Sequence, residues 1–172
     1  MAGDDGLAAE VERLGRRLNL LEATFAIEQL KAVYANLLDS RYVRGELVEP
    51  ALLERLAGQV AELFTEDAVW DGGRALGVAT GRQAIAERLG TPTLDFARHI
   101  FVKPRITVDG IHAEARWDVL CPCRTLDRRS WWMCGYEDDE YRLEDGRWLQ
   151  SRMTLTTLVM APVGAGFDRI FG

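Results

Sequence analysis

The side chain best suited to proton transfer in this sequence is His99, one of only two histidines among 172 residues. An imidazole near neutral pH can both take up a proton and return it. Residues 100–109, which follow it, alternate apolar and polar and end in Asp109-Gly110, so they predict a strand with one buried face and then a hairpin turn. Without partners, a histidine at the start of a strand is more often structural than catalytic. The predicted buried face comprises Ile100, Val102, Ile106 and Val108.

Helices are expected to position this strand. Apolar residues at three- and four-residue intervals predict an amphipathic arm over residues 1–22. The same spacing predicts a second helix over residues 24–40, with Thr24 as its cap. Pro50 opens a third helix, and residues 80–89 form a short fourth one.

The second half of the sequence predicts long antiparallel strands. Residues 113–119 alternate strictly, and strands over 131–143 and 148–159 are joined by a hairpin turn. Helices followed by such strands are typical of the α+β class, in which helices pack on the concave face of a strongly curved, mostly antiparallel sheet. We expect one domain over residues 1–172, with residues 161–172 as a C-terminal extension.

Composition limits the expected partners. An apolar content of 48% is sufficient for a core, and a net charge of −6 with scattered basic residues argues against nucleic acid or an anionic membrane surface. No stretch approaches the ~20 apolar residues of a membrane span. We therefore expect a cytoplasmic protein that binds a small hydrophobic molecule and assembles with other protein subunits.

The cysteines predict neither disulfides nor a metal site. Cys121, Cys123 and Cys134 are an odd number without a disulfide framework, and Cys121-Pro-Cys123 lacks both the usual zinc spacing and a second pair. The first two are better interpreted as buried strand residues. Phosphate-binding, dinucleotide-binding, serine-hydrolase and zinc-protease motifs are absent from the sequence, so we expect no cofactor and no metal.

Seven short stretches carry a resemblance to a known family: residues 27–39, 63–68, 77–81, Arg98-His99, 106–110, Gly135-Tyr136 and 145–148. In order and residue type they resemble the SnoaL-like branch of the nuclear-transport-factor-2-like superfamily, which includes scytalone dehydratase and the bile-acid 7α-dehydratases. The resemblance implies a cone-shaped α+β barrel. It also implies a homo-oligomer, with a trimer slightly favoured over a dimer.

The resemblance further implies a catalytic trio. In the dehydratases of that branch, a helix-borne tyrosine and an aspartate five residues later converge with a histidine on the first long strand. Tyr34, Asp39 and His99 match that pattern position by position. At ~100° per residue, five positions separate the first two by ~140°, so both reach one cavity only if it lies beneath the last turn of the helix.

Dehydration of a β-hydroxy carbonyl compound would use these groups in distinct roles. A neutral His99 is the base and then the acid, Asp39 fixes its tautomer, and Tyr34 donates to the developing enolate oxygen. Arg152 is expected to position a polar group of the substrate. Four aromatic residues are expected to line the pocket as substrate-binding residues: Trp70, Phe101, Trp117 and Trp148.

Each of these residues also has a structural interpretation. Tyr34 lies in an apolar stripe and fits a core tyrosine, Asp39 fits a helix terminus, and Arg152 fits a solvated strand charge. The four acids at 137–140 would point alternately to both faces of a strand and are typical of a solvated edge. A contact between His99 and Asp39 inside a cavity would favour an enzyme, whereas a filled core there would favour a non-catalytic protein.

The sequence thus favours a cofactor-independent, dehydratase-like lyase that acts on a small hydrophobic hydroxy-carbonyl compound. Within the same fold, an isomerase or a polyketide cyclase would use the same proton-transfer groups. From a different class, a non-catalytic ligand-binding or assembly module remains an alternative.

Overall fold

A computed structural model describes residues 2–164, with side chains from residue 6 onwards. Most of the predicted C-terminal extension, residues 165–172, lies outside the described residues, and its first two residues end the last strand. The helices are α1 (Ala2–Asp39), α2 (Pro50–Ala61), α3 (Gly73–Leu76) and α4 (Arg82–Gly90). The strands are β1 (Tyr42–Val43), β2 (Glu46–Leu47), β3 (Phe64–Asp71), β4 (Val78–Thr80), β5 (Leu94–Ala97), β6 (Ile100–Asp109), β7 (His112–Thr125), β8 (Ser130–Glu144) and β9 (Arg147–Pro162).

The N-terminal arm and the second predicted helix are one continuous helix, α1, so the predicted boundary at Thr24 is wrong. Neither Gly nor Pro interrupts the chain there. The Thr24 hydroxyl donates back to the Leu20 carbonyl at 2.8 Å, as a threonine inside a helix does, and so caps nothing. Thr80 ends β4, and Gly81 with φ 87° precedes α4, so this helix begins two residues later than predicted.

Seven strands form one curled sheet in the order β4-β3-β9-β8-β7-β5, with β6 also paired to β7. The β3–β9 pair is parallel and the other pairs of this sheet are antiparallel. The sheet forms a half-barrel on which the helices pack, which confirms the predicted α+β class. A separate hairpin of β1 and β2 lies between α1 and α2.

A bulge in β6 changes which of its side chains face the core. The register against β7 shifts between Val102 and Arg105, where Lys103 has a φ of +52° before Pro104. Ile100 and Val102, predicted to be buried, are consequently 40% and 42% exposed, whereas Phe101 faces inward. Beyond the bulge Ile106 and Val108 pack on the core, as predicted.

The core lies between the helices and the concave face of the sheet. The largest cluster joins the end of α1 to α2, α4 and β3, and includes Tyr34, Leu38 and Trp70. A second cluster packs the middle of α1 on β7 and β8. The predicted alternation in β7 is confirmed, because Ala113, Ala115, Trp117 and Val119 are all buried.

Candidate active site

A cavity of ≈ 240 Å³ opens between the last turns of α1, the end of α4 and the sheet. Tyr34 and Leu38 line it from α1, and His99 lines it from the chain between β5 and β6. The cavity lies beneath the last turn of α1, where Tyr34 lines it directly, whereas Asp39 is not a lining residue and contacts His99 instead. Its wall is mainly apolar, with Leu89, Met153 and Leu155 among the lining residues.

His99 is held by Asp39, the last residue of α1. The His99 backbone N–H donates to Asp39 Oδ1 at 2.9 Å, and the ring Nδ1 lies 2.9 Å from the same oxygen. Arg98 pairs with the other carboxylate oxygen at 3.1 Å. One carboxylate therefore fixes both the main chain and the imidazole at the junction where β5 ends and β6 begins.

This contact determines the tautomer of the neutral ring. An ionised carboxylate only accepts hydrogen bonds, so Nδ1 carries the proton and Nε2 has a free lone pair. Within residues 2–164, no hydrogen bond to Nε2 is present. The Phe101 ring lies nearly parallel to the imidazole, with an interplanar angle of 17° and centroids 6.3 Å apart. The arrangement presents a basic nitrogen in a fixed orientation.

Tyr34 is buried beside the same cavity, and its hydroxyl oxygen accepts a hydrogen bond from Trp70 Nε1 at 3.2 Å. Burial, and then the negative charge of Glu137, raise the pKa of Tyr34 well above its usual value, while the bond from Trp70 acts in the opposite direction. The hydroxyl keeps its proton. Among the described residues no acceptor for that proton is found, so Tyr34 can donate to a bound molecule.

Of the four aromatic residues predicted to line the pocket, Trp70 does so. Phe101 packs behind the site, between His99 and Tyr34. Trp117 is buried in the second cluster, where its Nε1 donates to the Tyr141 hydroxyl at 3.3 Å, and Trp148 packs against that cluster. The prediction for Trp117 and Trp148 is wrong because both face the middle of α1, away from the cavity under its end.

Arg152 was predicted to reach the substrate, and this is wrong. It lies on the opposite face of the sheet, about half exposed, and pairs with Glu140 at 3.3 Å. The pairing of β9 with β8 is irregular next to Arg152, because Arg152 and Gln150 pair with the consecutive residues Glu140 and Tyr141 and leave Ser151 as an extra residue. Two other arginines line the cavity instead, namely Arg41 and Arg88.

These two arginines are held in place by backbone carbonyls. Arg41 donates to Leu38 at 3.0 Å and to Leu89 at 3.2 Å. Arg88 donates to Leu76 at 2.6 Å and to Thr91 at 3.0 Å, and its guanidinium lies over the Trp70 ring. Within the part of the chain that the structure describes, Nη2 of each arginine has no hydrogen-bond partner, so each can offer N–H donors to the cavity.

The acidic stretch 137–140 contains a site residue that the sequence interpretation missed. It alternates between the two faces as predicted, but β8 is a central strand and not an edge. Glu137 and Asp139 are therefore buried, and Glu137 lines the cavity. A signal was present, because Lys31 falls within the apolar stripe of α1 and needs buried carboxylate partners.

Lys31 Nζ bonds to both Glu137 and Asp139, the latter at 2.7 Å. Burial opposes the charge of Lys31, but the two carboxylates outweigh it and its pKa is raised. Burial raises the pKa of Asp139 to about 6, with Lys31 opposing the shift. The Tyr141 hydroxyl donates to Asp139 at 2.7 Å, which completes a network beneath the Tyr34 ring.

Cys121 and Cys123 are buried in β7 on the cavity wall, which confirms their interpretation as buried strand residues. Their mutual hydrogen bond raises the pKa of Cys121 and lowers that of Cys123. Cys134 is exposed. Among the residues that the structure describes, no cluster of three or more His, Cys, Asp or Glu side chains is arranged to hold a metal ion.

The sequence profile of the SnoaL-like domain matches residues 19–154, which is most of the chain. The chain belongs to the SnoaL-like domain family. This confirms the resemblance inferred from the seven stretches, and the matched region contains Tyr34, Asp39 and His99. No curated protein matches the sequence.

Solved structures share the fold of this SnoaL-like domain. One is hexachlorocyclohexane dehydrochlorinase LinA-type3 from Novosphingobium barchaimii, with 19% identity, a TM-score of 0.72 and coverage of 90% of this chain and 97% of that chain. Another is a candidate scytalone dehydratase from Novosphingobium aromaticivorans, with 24% identity, a TM-score of 0.67 and coverage of 88% and 96%. An NTF2-like protein with a cystatin-like fold from the same species has 25% identity, a TM-score of 0.66 and coverage of 84% and 88%.

The described part of this SnoaL-like domain contains no helix that is both long and apolar enough to cross a membrane. Its longest helix, α1, carries charged residues throughout its first half.

Proposed function

We propose that this SnoaL-like domain is a cofactor-independent, dehydratase-like lyase that acts on a small hydrophobic hydroxy-carbonyl compound. The observation that carries the proposal is the Asp39–His99 pair, which presents one fixed basic nitrogen at the edge of a mainly apolar cavity. A filled core at this position would have favoured a non-catalytic protein. The chemistry follows from the order in which protons move.

In the first step, Nε2 of His99 removes the proton on the carbon next to the substrate carbonyl. The electron pair of that C–H bond moves into the carbonyl group and gives an enolate. The imidazolium that forms is stabilised by the negative charge of Asp39, which keeps its contact with Nδ1. Asp39 remains ionised and acts by position and charge.

Tyr34 then stabilises the enolate oxygen. Its hydroxyl proton is free to point into the cavity, since Trp70 occupies one lone pair of the oxygen. The donor is neutral and buried, so its hydrogen bond strengthens as negative charge develops on the substrate. This is the role of an oxyanion hole with one side-chain donor.

In the last step, the imidazolium returns its proton to the β-hydroxyl group. The C–O bond breaks, water leaves and the enolate electrons form the new C=C bond, which is conjugated with the carbonyl. The proton taken from carbon leaves in the water molecule, so the cycle ends with neutral His99 and needs no co-reactant.

The cavity suggests the kind of substrate. A volume of ≈ 240 Å³ lies below the ~300–1,000 Å³ of pockets for drug-sized ligands, which favours a small molecule. The apolar wall favours a hydrocarbon skeleton. Arg41 and Arg88 take over the role expected of Arg152, because their Nη2 groups can bind the carbonyl end or another polar substituent.

An isomerase or a polyketide cyclase would use the same base and the same donor, with the proton returned to carbon instead of to a leaving hydroxyl group. The position of Glu137 on the cavity wall favours an isomerase or a cyclase. Glu137 is a second carboxyl group on the cavity wall and could receive or return a proton at another position of the substrate.

The test is a panel of β-hydroxy ketones and thioesters, followed by the ultraviolet absorbance of the conjugated product. We expect turnover by the wild type, none with His99→Ala, and the wild-type rate with His112→Ala. His112 is the other histidine of the chain and is exposed, so it is the matched control. If His99→Ala converts the substrate as fast as His112→Ala does, His99 is not the proton-transfer group.

A further inference from the structure

The first half of α1 projects away from the domain. Residues 6–22 are exposed except for Gly15, which is partly buried, and the domain begins to cover the helix at Ala23. At 1.5 Å per residue, this free segment is roughly 25 Å long. A helical segment of that length without tertiary packing is marginal in water, so burial of its apolar side against a partner would stabilise it.

The exposed segment carries a regular apolar seam. Its residues are spaced by four, three, four, three and four positions, which is the alternation of a and d positions in a coiled coil. They are between 48% and 67% exposed, which is unusual for a row of large apolar side chains. The seam consists of Leu7, Val11, Leu14, Leu18, Leu21 and Phe25.

We propose that this seam binds the same seam of a second copy of the chain, in a parallel two-stranded coiled coil. With Val11, Leu18 and Phe25 at a positions, every d position of the seam is a leucine. Leucine at d together with the β-branched Val11 at a matches the two-stranded pattern, and the isoleucines at d that favour three or four strands are absent from the seam. This assembly differs from the trimer expected from the family resemblance.

Charge complementarity supports the same occupant and its direction. Arg17 falls at a g position and Glu22 at the e position five residues later, which face each other across a parallel dimer. Neither has an ion-pair partner within residues 2–164. In an antiparallel pair, e positions face one another, so Glu22 would face Ala8, Gly15 or another Glu22 and find no cation.

Two internal ion pairs leave the seam clear. Arg13 pairs with Glu10, and Arg16 pairs with Glu12, within the same helix. Of these, Glu12, Arg13 and Arg16 lie at b, c and f positions, away from the partner. The polar side of the arm is thus satisfied within one chain, whereas its apolar side is not.

The first test measures the mass of the full chain by light scattering coupled to size exclusion at micromolar concentration. We expect a dimer for the wild type and the mass of one chain for Leu14→Glu/Leu21→Glu. The matched control is Leu20→Glu, because Leu20 is a leucine of the same arm, 49% exposed, that lies off the seam. The control should stay dimeric.

The second test reverses single charges and does not depend on the seam variant. Arg17→Glu and Glu22→Arg should each weaken the dimer about tenfold, since each places like charges at both e–g contacts. An equimolar mixture of the two variants should form a heterodimer of wild-type affinity. A monomeric or trimeric wild type, a dimeric seam variant, or a mixture no tighter than either variant alone would overturn the proposal.

Discussion

Two of the regions of buried charge in this domain, the Lys31 network and the Asp39–His99 pair, differ in whether their charged groups are open to a ligand. In the Lys31 network, the ammonium group is enclosed by two carboxylates and is 1% exposed. In the Asp39–His99 pair, one ring nitrogen is bonded and the other is free at a cavity. The Lys31 ammonium group is closed to a ligand and serves to hold elements together, whereas Nε2 of His99 can exchange protons with one.

The difference separates stability from chemistry within one helix. Lys31 and Tyr34 are three residues apart on α1, and Asp39 ends it. Glu137 is the one member of the network that also lines the cavity. We therefore expect substitutions in the Lys31 network to change mainly the free energy of unfolding. Substitutions in the cavity should change mainly the rate of turnover.

The largest expected effect is on stability. Lys31→Met should lower the free energy of unfolding by about 3–5 kcal/mol, because it leaves two carboxylates buried without a cation. Urea denaturation measures it. Lys103→Met is the matched control, since Lys103 is the other lysine of the chain, is largely exposed and pairs with Asp118 at the surface; its effect should be below ~1 kcal/mol.

The next effect should appear in the rate alone. Tyr34→Phe removes the donor to the enolate oxygen, and loss of one such donor typically costs about 10²–10³-fold in turnover. The Michaelis constant should change much less, because the hydrogen bond strengthens mainly in the transition state. Comparable losses in binding and turnover would instead make Tyr34 a residue of the cavity wall.

The Lys31 network should also show its own pH dependence. The pKa of Asp139 rises from 3.8 to about 6 on folding, so the folded state binds more protons than the unfolded state between these values. The contribution of this carboxyl group is present below pH ~4 and is lost as the pH rises through ~6, by up to about 3 kcal/mol. Above pH ~6, the contribution of Asp139 to the free energy of unfolding no longer changes with pH.

Asp139→Asn isolates this contribution, because the other groups titrate in both proteins. The stability of the variant relative to the wild type should increase from pH 4 to pH 6 in urea titrations at each pH. A difference that is independent of pH, or that decreases, would show that Lys31 stabilises the charged carboxylate more than burial destabilises it.

The smallest of these effects concerns Asp39. Asp39→Asn should reduce turnover by about 10²-fold, since the amide keeps the shape of the site and removes the charge that stabilises the imidazolium. The amide can still accept from the His99 backbone N–H, so the midpoint of unfolding should move by little. Loss of folding without a separate loss of rate would make Asp39 a structural cap of α1.

Local patterns in the sequence predicted most of the fold. The alternation from Ala113 to Val119 identified β7, and the helical spacing identified α1 beyond Ile27. The prediction failed where a few residues change the register. The Lys103–Pro104 bulge turns Phe101 inward, and periodicity of two cannot reveal an added residue. Arg152 was predicted to lie on the wrong face of β9 for a similar reason, because the pairing with β8 is irregular between Arg152 and Gln150.

The candidate site was predictable to a different extent. His99 was singled out by its residue type, whereas its partners Tyr34 and Asp39 came from the family resemblance, because no local pattern relates residues 60 positions apart. The residues of the cavity wall could not be predicted from the sequence. Trp117, Trp148 and Trp70 are the same residue type and differ only in the part of α1 that they face. Glu137 was detectable in principle, through the lysine in the apolar stripe opposite.

The central claim is that Nε2 of His99 removes the α-proton, and solvent exchange tests it most directly. A substrate found with the hydroxy-carbonyl panel, or its α-methylene analogue without the β-hydroxyl, is incubated in D₂O and followed by ¹H NMR. We expect the wild type to replace the α-proton with deuterium and His99→Ala to lose this exchange by at least about 10³-fold, whereas folded Lys31→Met should retain it. Exchange by His99→Ala at a rate near that of the wild type would show that another group removes the proton and that His99 is not the base.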